Sequence, residues 1–190
     1  MVRSERHQGR SSPPDLTAAV TSGRIAALLG SRRVHEHHGN AMADDLQGAI
    51  TLPDAARVRG RGLSDGVPEA PHPTYGLYLG SRTLRRRHEP LMPWPQQWVV
   101  WPDFLVPVDR AAATAAIRDL HRRALAGDAV EVACAGGIGR TGTVIACLAV
   151  LAGLPPDQAL VWARAHHHPR AVETPWQRKW ITTFARETAH

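Results

Sequence analysis

Cys134 and Arg140 stand at the two ends of a short run, Ala135-Gly136-Gly137-Ile138-Gly139, and Thr141-Gly142 follow directly. Three glycines among those five residues leave the backbone nearly bare, so consecutive N–H groups can converge on an anion. The guanidinium of Arg140 is a planar fork whose parallel donors match two oxygens of a phosphate. A thiol at the head of such a loop is favoured as the thiolate, because a helix N-terminus and a nearby cation both lower cysteine pKa values. Converging amides, a guanidinium fork and a favoured thiolate together make a cradle for a phosphate group with a reactive sulfur at its head.

Those residues work only if the chain on either side fixes them. Asp128 to Cys134 is short and β-branched and follows Gly127, which predicts a buried strand. Arg140 to Ala152 is apolar almost all round, with Val144, Ile145, Leu148 and Leu151 at helical spacing and Gly153 placed to end the helix as a C′ glycine. Strand, glycine loop and buried helix then place the loop at a helix N-terminus, where the dipole adds to the pull on an anion.

Two further segments carry matching chemistry. Trp101-Pro102-Asp103-Phe104-Leu105-Val106-Pro107 puts a carboxylate 31 residues before Cys134, between prolines that forbid regular helix or a central strand. Phosphoryl transfer to a thiolate leaves an oxyanion that needs a proton, and Asp103 is the natural donor. Ala171-Val172-Glu173-Thr174-Pro175-Trp176-Gln177 opens the last predicted helix, with Thr174 and Pro175 as an N-cap and N1 pair. Gln177 reads either as a functional residue or as a solvent-facing residue of the first turn.

Cysteine, five residues, arginine, threonine and glycine in that order resemble the signature of the cysteine-dependent protein tyrosine phosphatases, over roughly Tyr75 to His190. The resemblance implies a two-step reaction through a phosphocysteine on Cys134. Arg140 and the amides of Ala135, Gly136, Gly137, Ile138 and Gly139 would bind the phosphoryl group. Asp103 would serve as acid and then as base on a mobile loop, Thr141 would stabilise the leaving thiolate, and Gln177 would position water. No metal or other cofactor is implied, and the expected partner is a phosphorylated protein or peptide. The family usually carries a histidine just before the cysteine, whereas this chain has Ala133.

The uncharged loop interior favours a phosphoprotein over a phosphoinositide, whose phosphatases usually carry lysines there, and phosphotyrosine is preferred over dual specificity. The alternatives are a phosphoinositide phosphatase and a catalytically weak, phosphate-binding pseudophosphatase. A low-molecular-weight phosphatase is disfavoured because Asp103 precedes the cysteine loop, and a rhodanese-like sulfurtransferase would not need Asp103.

The 190 residues fit a single catalytic domain, with 41–190 as the domain and 1–40 as a poorly structured extension bearing at most a short helix near Leu16 to Leu29. Met42 is a second possible start. The expected class is α/β: a mainly parallel twisted sheet with helices on both faces and the site at strand C-terminal ends. Ala49 to Arg61 reads as weak β structure and Gly62 to Pro73 as a connector. Tyr75 to Gly80, Trp98 to Trp101 and Ala129 to Cys134 read as strands, and Ala111 to Leu125, Pro156 to His166 and Pro175 to Ala189 as helices.

The net charge of +6 comes from arginine, with Lys179 the only lysine, and its scatter argues against a nucleic-acid surface. Arg85-Arg86-Arg87 reads as a solvated loop that could steer anions. Cys147, inside the apolar helix, reads as packing, with a redox partnership to Cys134 as the lesser reading. No apolar run is long enough to span a membrane and no secretory signal is evident, so a cytoplasmic location is expected. His35-Glu36-His37-His38 and His166-His167-His168 lack zinc-site spacing, since consecutive histidines diverge.

Overall fold

In the computed structural model, residues 46–189 are described. The expected extension, the helix near Leu16 to Leu29 and the first histidine run lie outside them. Five strands form one sheet: β1 (Ala49–Thr51), β2 (Arg57–Gly62), β3 (Tyr75–Gly80), β4 (Gln96–Val100) and β5 (Val130–Cys134). Their spatial order is β1-β2-β5-β3-β4, with β1 antiparallel on the edge and the remaining pairs parallel. Cys134, the last residue of the central strand, is level with Gly62 on one side and Leu79 on the other. The C-terminal ends of four strands therefore share one edge, where ligands bind in open parallel sheets.

Side chains alternate between the two faces of each strand. Leu77, Leu79, Val99, Val130, Val132 and Cys134 belong to the main core, while Tyr78, Ala133 and Trp94 belong to a smaller cluster with Leu63 and Met92. The main core is closed by α2 (Arg110–Leu125), α3 (Gly139–Leu151), α4 (Pro156–His166) and α5 (Pro175–Thr188). In α3 every residue from Gly139 to Ala149 is buried, which is why that helix lacks a polar face. Its C-terminus closes as the sequence predicts: Gly153 has φ +99, and the N–H groups of Gly153 and Leu154 bond to the carbonyls of Val150 and Ala149.

The arginine triplet is not a loop. Arg82–His88 forms α1, capped by the Ser81 hydroxyl, which accepts from Leu84 N–H at 3.2 Å, and Arg85 pairs with Glu89 one turn on. With Leu84 packed against the smaller cluster, α1 covers the face of the sheet that the other four helices leave. The weak β region resolves into β1 and β2, joined through Ala55 at φ 69. Strand β4 starts two residues earlier than expected and ends at Val100, leaving Trp101 to open the acid segment.

Candidate active site

Residues 135–138, between β5 and α3, form a loop whose carbonyls are tied to its surroundings. Ser64 N–H donates to Ala135 O at 3.0 Å and His167 Nε2 to Gly137 O at 2.7 Å, and within the first turn of α3 Thr143 Oγ1 donates to Gly139 O at 2.7 Å. In a trans peptide the N–H of the next residue points opposite to the carbonyl. Pinning the carbonyls outward therefore turns the amides of Gly136, Ile138 and Arg140 the other way. Gly137 has φ +70, the conformation that lets the loop reverse, and a Cβ there would stand 2.5 Å from Gly62 N. Ile138 caps α3 without any side-chain hydrogen bond of its own.

Arg140 is only 5 % exposed. Its Nη1 donates to Trp101 O at 3.0 Å and its Nη2 pairs with Asp103 Oδ1 at 3.1 Å, while its Nε is buried without a partner. One side of the fork is thus anchored to protein and the Nε–Nη2 edge holds the unused donor. Asp103, on an exposed segment, is brought to that edge by local bonds. Trp101 Nε1 donates to Leu105 O at 2.8 Å, Val108 N–H to Val100 O at 3.0 Å, and Phe104, at φ 60, donates its N–H to Asp103 Oδ1. The Thr174 hydroxyl donates to Phe104 O at 3.1 Å, joining the acid segment to the start of α5.

Thr174 also accepts from Gln177 N–H, and Gln177 Oε1 accepts from Glu173 N–H at 2.8 Å and Thr174 N–H at 3.4 Å, completing a capping box. Gln177 is therefore fully buried rather than solvent-facing, with its carbonyl committed to the cap and its Nε2 unpartnered. The residue sequence reasoning passed over is Glu173. A Cβ built on Gly139 would collide with its carboxylate, so Glu173 lies directly against the first residue of α3. Arg164, donating to Ala171 O and Val172 O at 3.0 and 3.2 Å, holds the strap that puts it there. Thr141 is fully buried with its hydroxyl unpartnered, next to the loop as expected.

Behind Cys134, which is 2 % exposed, lies a charged network that the strand pattern concealed. Glu131 is fully buried and accepts from Arg59 Nε at 2.7 Å, Arg61 Nε at 2.9 Å and the Tyr78 hydroxyl at 2.8 Å; Trp94 Nε1 donates to that hydroxyl at 2.6 Å. Burial and the neighbouring carboxylate push the Tyr78 phenol far above its ordinary pKa. Arg61 also donates to Gly62 O and Gly66 O, bracing the turn Leu63–Asp65 whose Ser64 supports the loop. Removing one partner from such a buried pair costs about 3–5 kcal/mol, so the network is structural support for the strand ends. Ala133 packs in the same cluster, under Tyr78, Leu63, Met92 and Trp94.

Residues 105–187 match the family model described as PTP-SAK, Swiss Army Knife protein, DSP-PTPase phosphatase domain. Tk-PTP in its active form superposes with a TM-score of 0.58 at 20% identity, over 74% of this chain and 97% of that one. Over residues 105–187, 83 of the 190, the chain is similar to the cysteine-dependent phosphatases of the dual-specificity and tyrosine kind, and its fold is theirs. Human DUSP28 shares the phosphatase fold with a TM-score of 0.53 at 16% identity, over 73% of this chain and 96% of that one. Kinase associated phosphatase, solved with its catalytic-site cysteine replaced by serine, gives 0.52 at 19% identity, over 61% and 71%. The 067L protein of Invertebrate iridescent virus 3, which carries a tyrosine phosphatase name, is 39% identical over 57 residues. The chain spans about a quarter of that relative's length, 24%.

The phosphatase match takes in Cys134, Arg140, Thr141 and Gln177 and starts just after Asp103. A cleft of about 520 Å³ beside the acid segment is lined by Pro102, Leu105, Pro107, Trp176 and Trp180, with Arg110 and Lys179 at its rim. Cys147 is fully buried in α3, and burial pushes its thiol far up, with the Trp180 indole only partly offsetting this. The histidine triplet divides its work: His166 Nδ1 meets Trp162 O, His167 meets Gly137 O, and His168 Nδ1 accepts from Arg170 N–H. Among the described residues no group of three His, Cys, Asp or Glu could hold a metal ion, and no helix is long and apolar enough to cross a membrane.

Proposed function

We propose that this phosphatase domain hydrolyses phosphotyrosine in proteins or peptides in two steps. Cys134 attacks phosphorus in line, Asp103 protonates the departing phenoxide, and water then releases inorganic phosphate from the phosphocysteine. The observation that carries the reading is the state of Arg140. A guanidinium that is 5 % exposed, anchored behind by Trp101 O, keeps an unpartnered Nε on the edge where Asp103 sits. An unpartnered charged donor in a buried place is costly unless a ligand completes it, and a phosphoryl oxygen would do so.

Each remaining residue has a part. The amides turned inward by the pinned carbonyls take the equatorial oxygens, and preorganised donors of this kind are usually the largest catalytic term. When phosphate enters, Asp103 yields the guanidinium edge and is already beside the leaving oxygen. The Thr141 hydroxyl stabilises the thiolate as it departs in the second step. The buried Nε2 of Gln177 remains available to orient water, and Glu173 against Gly139 is a second carboxylate at the mouth of the loop.

Phosphotyrosine is favoured over other esters by the surroundings. The loop interior from Ala135 to Gly139 is uncharged, which suits a singly phosphorylated group better than a polyphosphorylated headgroup. Phe104 and Trp176, 55 % and 60 % exposed, stand on the two segments joined by the Thr174 bond, where an aromatic ring attached to the phosphate could lie. The test is to assay the purified chain, with EDTA present, on phosphotyrosine and phosphoserine peptides and on phosphoinositide vesicles. Fastest turnover of the phosphotyrosine peptide is expected. Faster turnover of the vesicles would reassign the substrate, and release of phosphate from none of the three would reduce the domain to a phosphate-binding module.

A further inference from the structure

We propose that His167 is a positioning residue for the phosphate loop: its Nε2–H holds the Gly137–Ile138 peptide so that the Ile138 amide is presented to the phosphoryl group. The proposal rests on the reading of residues 135–140 as a phosphate cradle.

A peptide that follows a glycine is the weakest point of such a loop. Gly137 sits at φ +70, and a glycine tolerates either sign of φ, so its peptide can rotate at little cost unless something outside the loop fixes it. Gly137 packs on the β2 backbone at Arg61 and Gly62, and the hydrogen bond that orients its carbonyl is His167 Nε2 to Gly137 O at 2.7 Å. A carbonyl oxygen only accepts, so Nε2 carries the proton and the ring has the Nε2–H tautomer. With the carbonyl held toward His167, the trans peptide points Ile138 N–H away from it, into the loop.

The ring that does this is itself well fixed. His167 follows the last residue of α4, its own N–H bonds to Ala163 O at 3.0 Å, and its ring lies over Gly60 of β2 beside Ile145 of α3. A Cβ on Gly60 would stand 2.8 Å from His167 Cε1 and 2.6 Å from Ile145 Cδ1, so glycine there is what admits the imidazole. Desolvation is the main cause that lowers the His167 pKa, which keeps the ring neutral near neutral pH. It reaches the loop from the helix-covered face, whereas Ala133, where the family usually has a histidine, packs on the other. His166 and His168 bond elsewhere and cannot take over the contact.

The test compares the full chain with His167→Leu, which keeps bulk and removes the donor, and with His167→Gln, whose amide can donate from a similar position. Turnover of p-nitrophenyl phosphate, inhibition by vanadate and thermal melting are measured on all three. Disordering one oriented amide should lower kcat/KM of folded His167→Leu by about tenfold or more and weaken vanadate with it, since deleting such a donor outright costs about 10²–10³. His167→Gln should recover most of both. Unchanged kinetics in folded His167→Leu, or a loss that His167→Gln does not recover, would overturn the proposal while leaving the phosphatase reading intact. A wild-type chain that neither hydrolyses the ester nor binds vanadate would overturn that reading and this one together. If His167→Leu does not fold, the ¹⁵N spectrum of the wild-type imidazole decides: Nε2–H supports the proposal and Nδ1–H overturns it.

Discussion

Replacing Arg140 with lysine keeps the charge and removes the fork, so it isolates what geometry contributes. Arg140 divides its donors between Trp101 O at 3.0 Å, Asp103 Oδ1 at 3.1 Å and an unpartnered Nε, all on a side chain that is 5 % exposed. One ammonium cannot serve both the anchor behind and the phosphoryl oxygens in front. Losing a charge-assisted bond to the oxygens costs about 1.5–3 kcal/mol, and leaving the Trp101 carbonyl unsatisfied costs about 1–3 kcal/mol more. Taken together at about 2.5–6 kcal/mol, Arg140→Lys should lower kcat/KM by about 10²–10⁴. Because Trp101 opens the acid segment, kcat should fall and vanadate inhibition should weaken in the same variant. Steady-state hydrolysis of p-nitrophenyl phosphate and vanadate titration measure both, with circular dichroism to confirm the fold. A kcat/KM within about threefold of wild type, less than 1 kcal/mol, would refute the argument that the planar fork grips the substrate.

Two further substitutions probe the acid and the cap. Asp103→Ala should reduce turnover of esters with poor leaving groups by about 10²–10⁴ and affect good leaving groups less; equal losses for both would move the acid to Glu173, whose own substitution would then give the graded pattern. Gln177→Ala should destabilise the domain by about 1–2 kcal/mol in urea unfolding, because it opens the capping box that starts α5; an unchanged midpoint would show that the Thr174 hydroxyl suffices as a cap.

How much of this was readable from residues alone follows from how local each feature is. The strand, loop and helix around Cys134 were legible because glycine content, β-branching and an all-round apolar helix act within twenty residues. The Thr174-Pro175 start of α5 was legible for the same reason. Helix α1 was missed because three consecutive arginines dominate its composition. Its signals were present in Ser81 as N-cap and Arg85 with Glu89 as an i,i+4 pair. Glu131 interrupts an apolar strand, which should have announced a buried partner, yet the partners Arg59 and Arg61 are about seventy residues away and no local rule finds them. Glu173 and His167 were hidden similarly. Each touches a glycine of a distant element, and a missing Cβ leaves no mark in a sequence except the glycine itself.

The central claim is that sulfur takes the phosphoryl group. Rapid acid quench of the full chain during turnover of an aryl phosphate, followed by proteolysis and mass spectrometry, reads this directly. A phosphoryl adduct on the peptide carrying Cys134, absent in Cys134→Ser together with turnover, is the predicted result. An adduct on another residue, or a Cys134→Ser variant that still hydrolyses the ester at the wild-type rate, would contradict it.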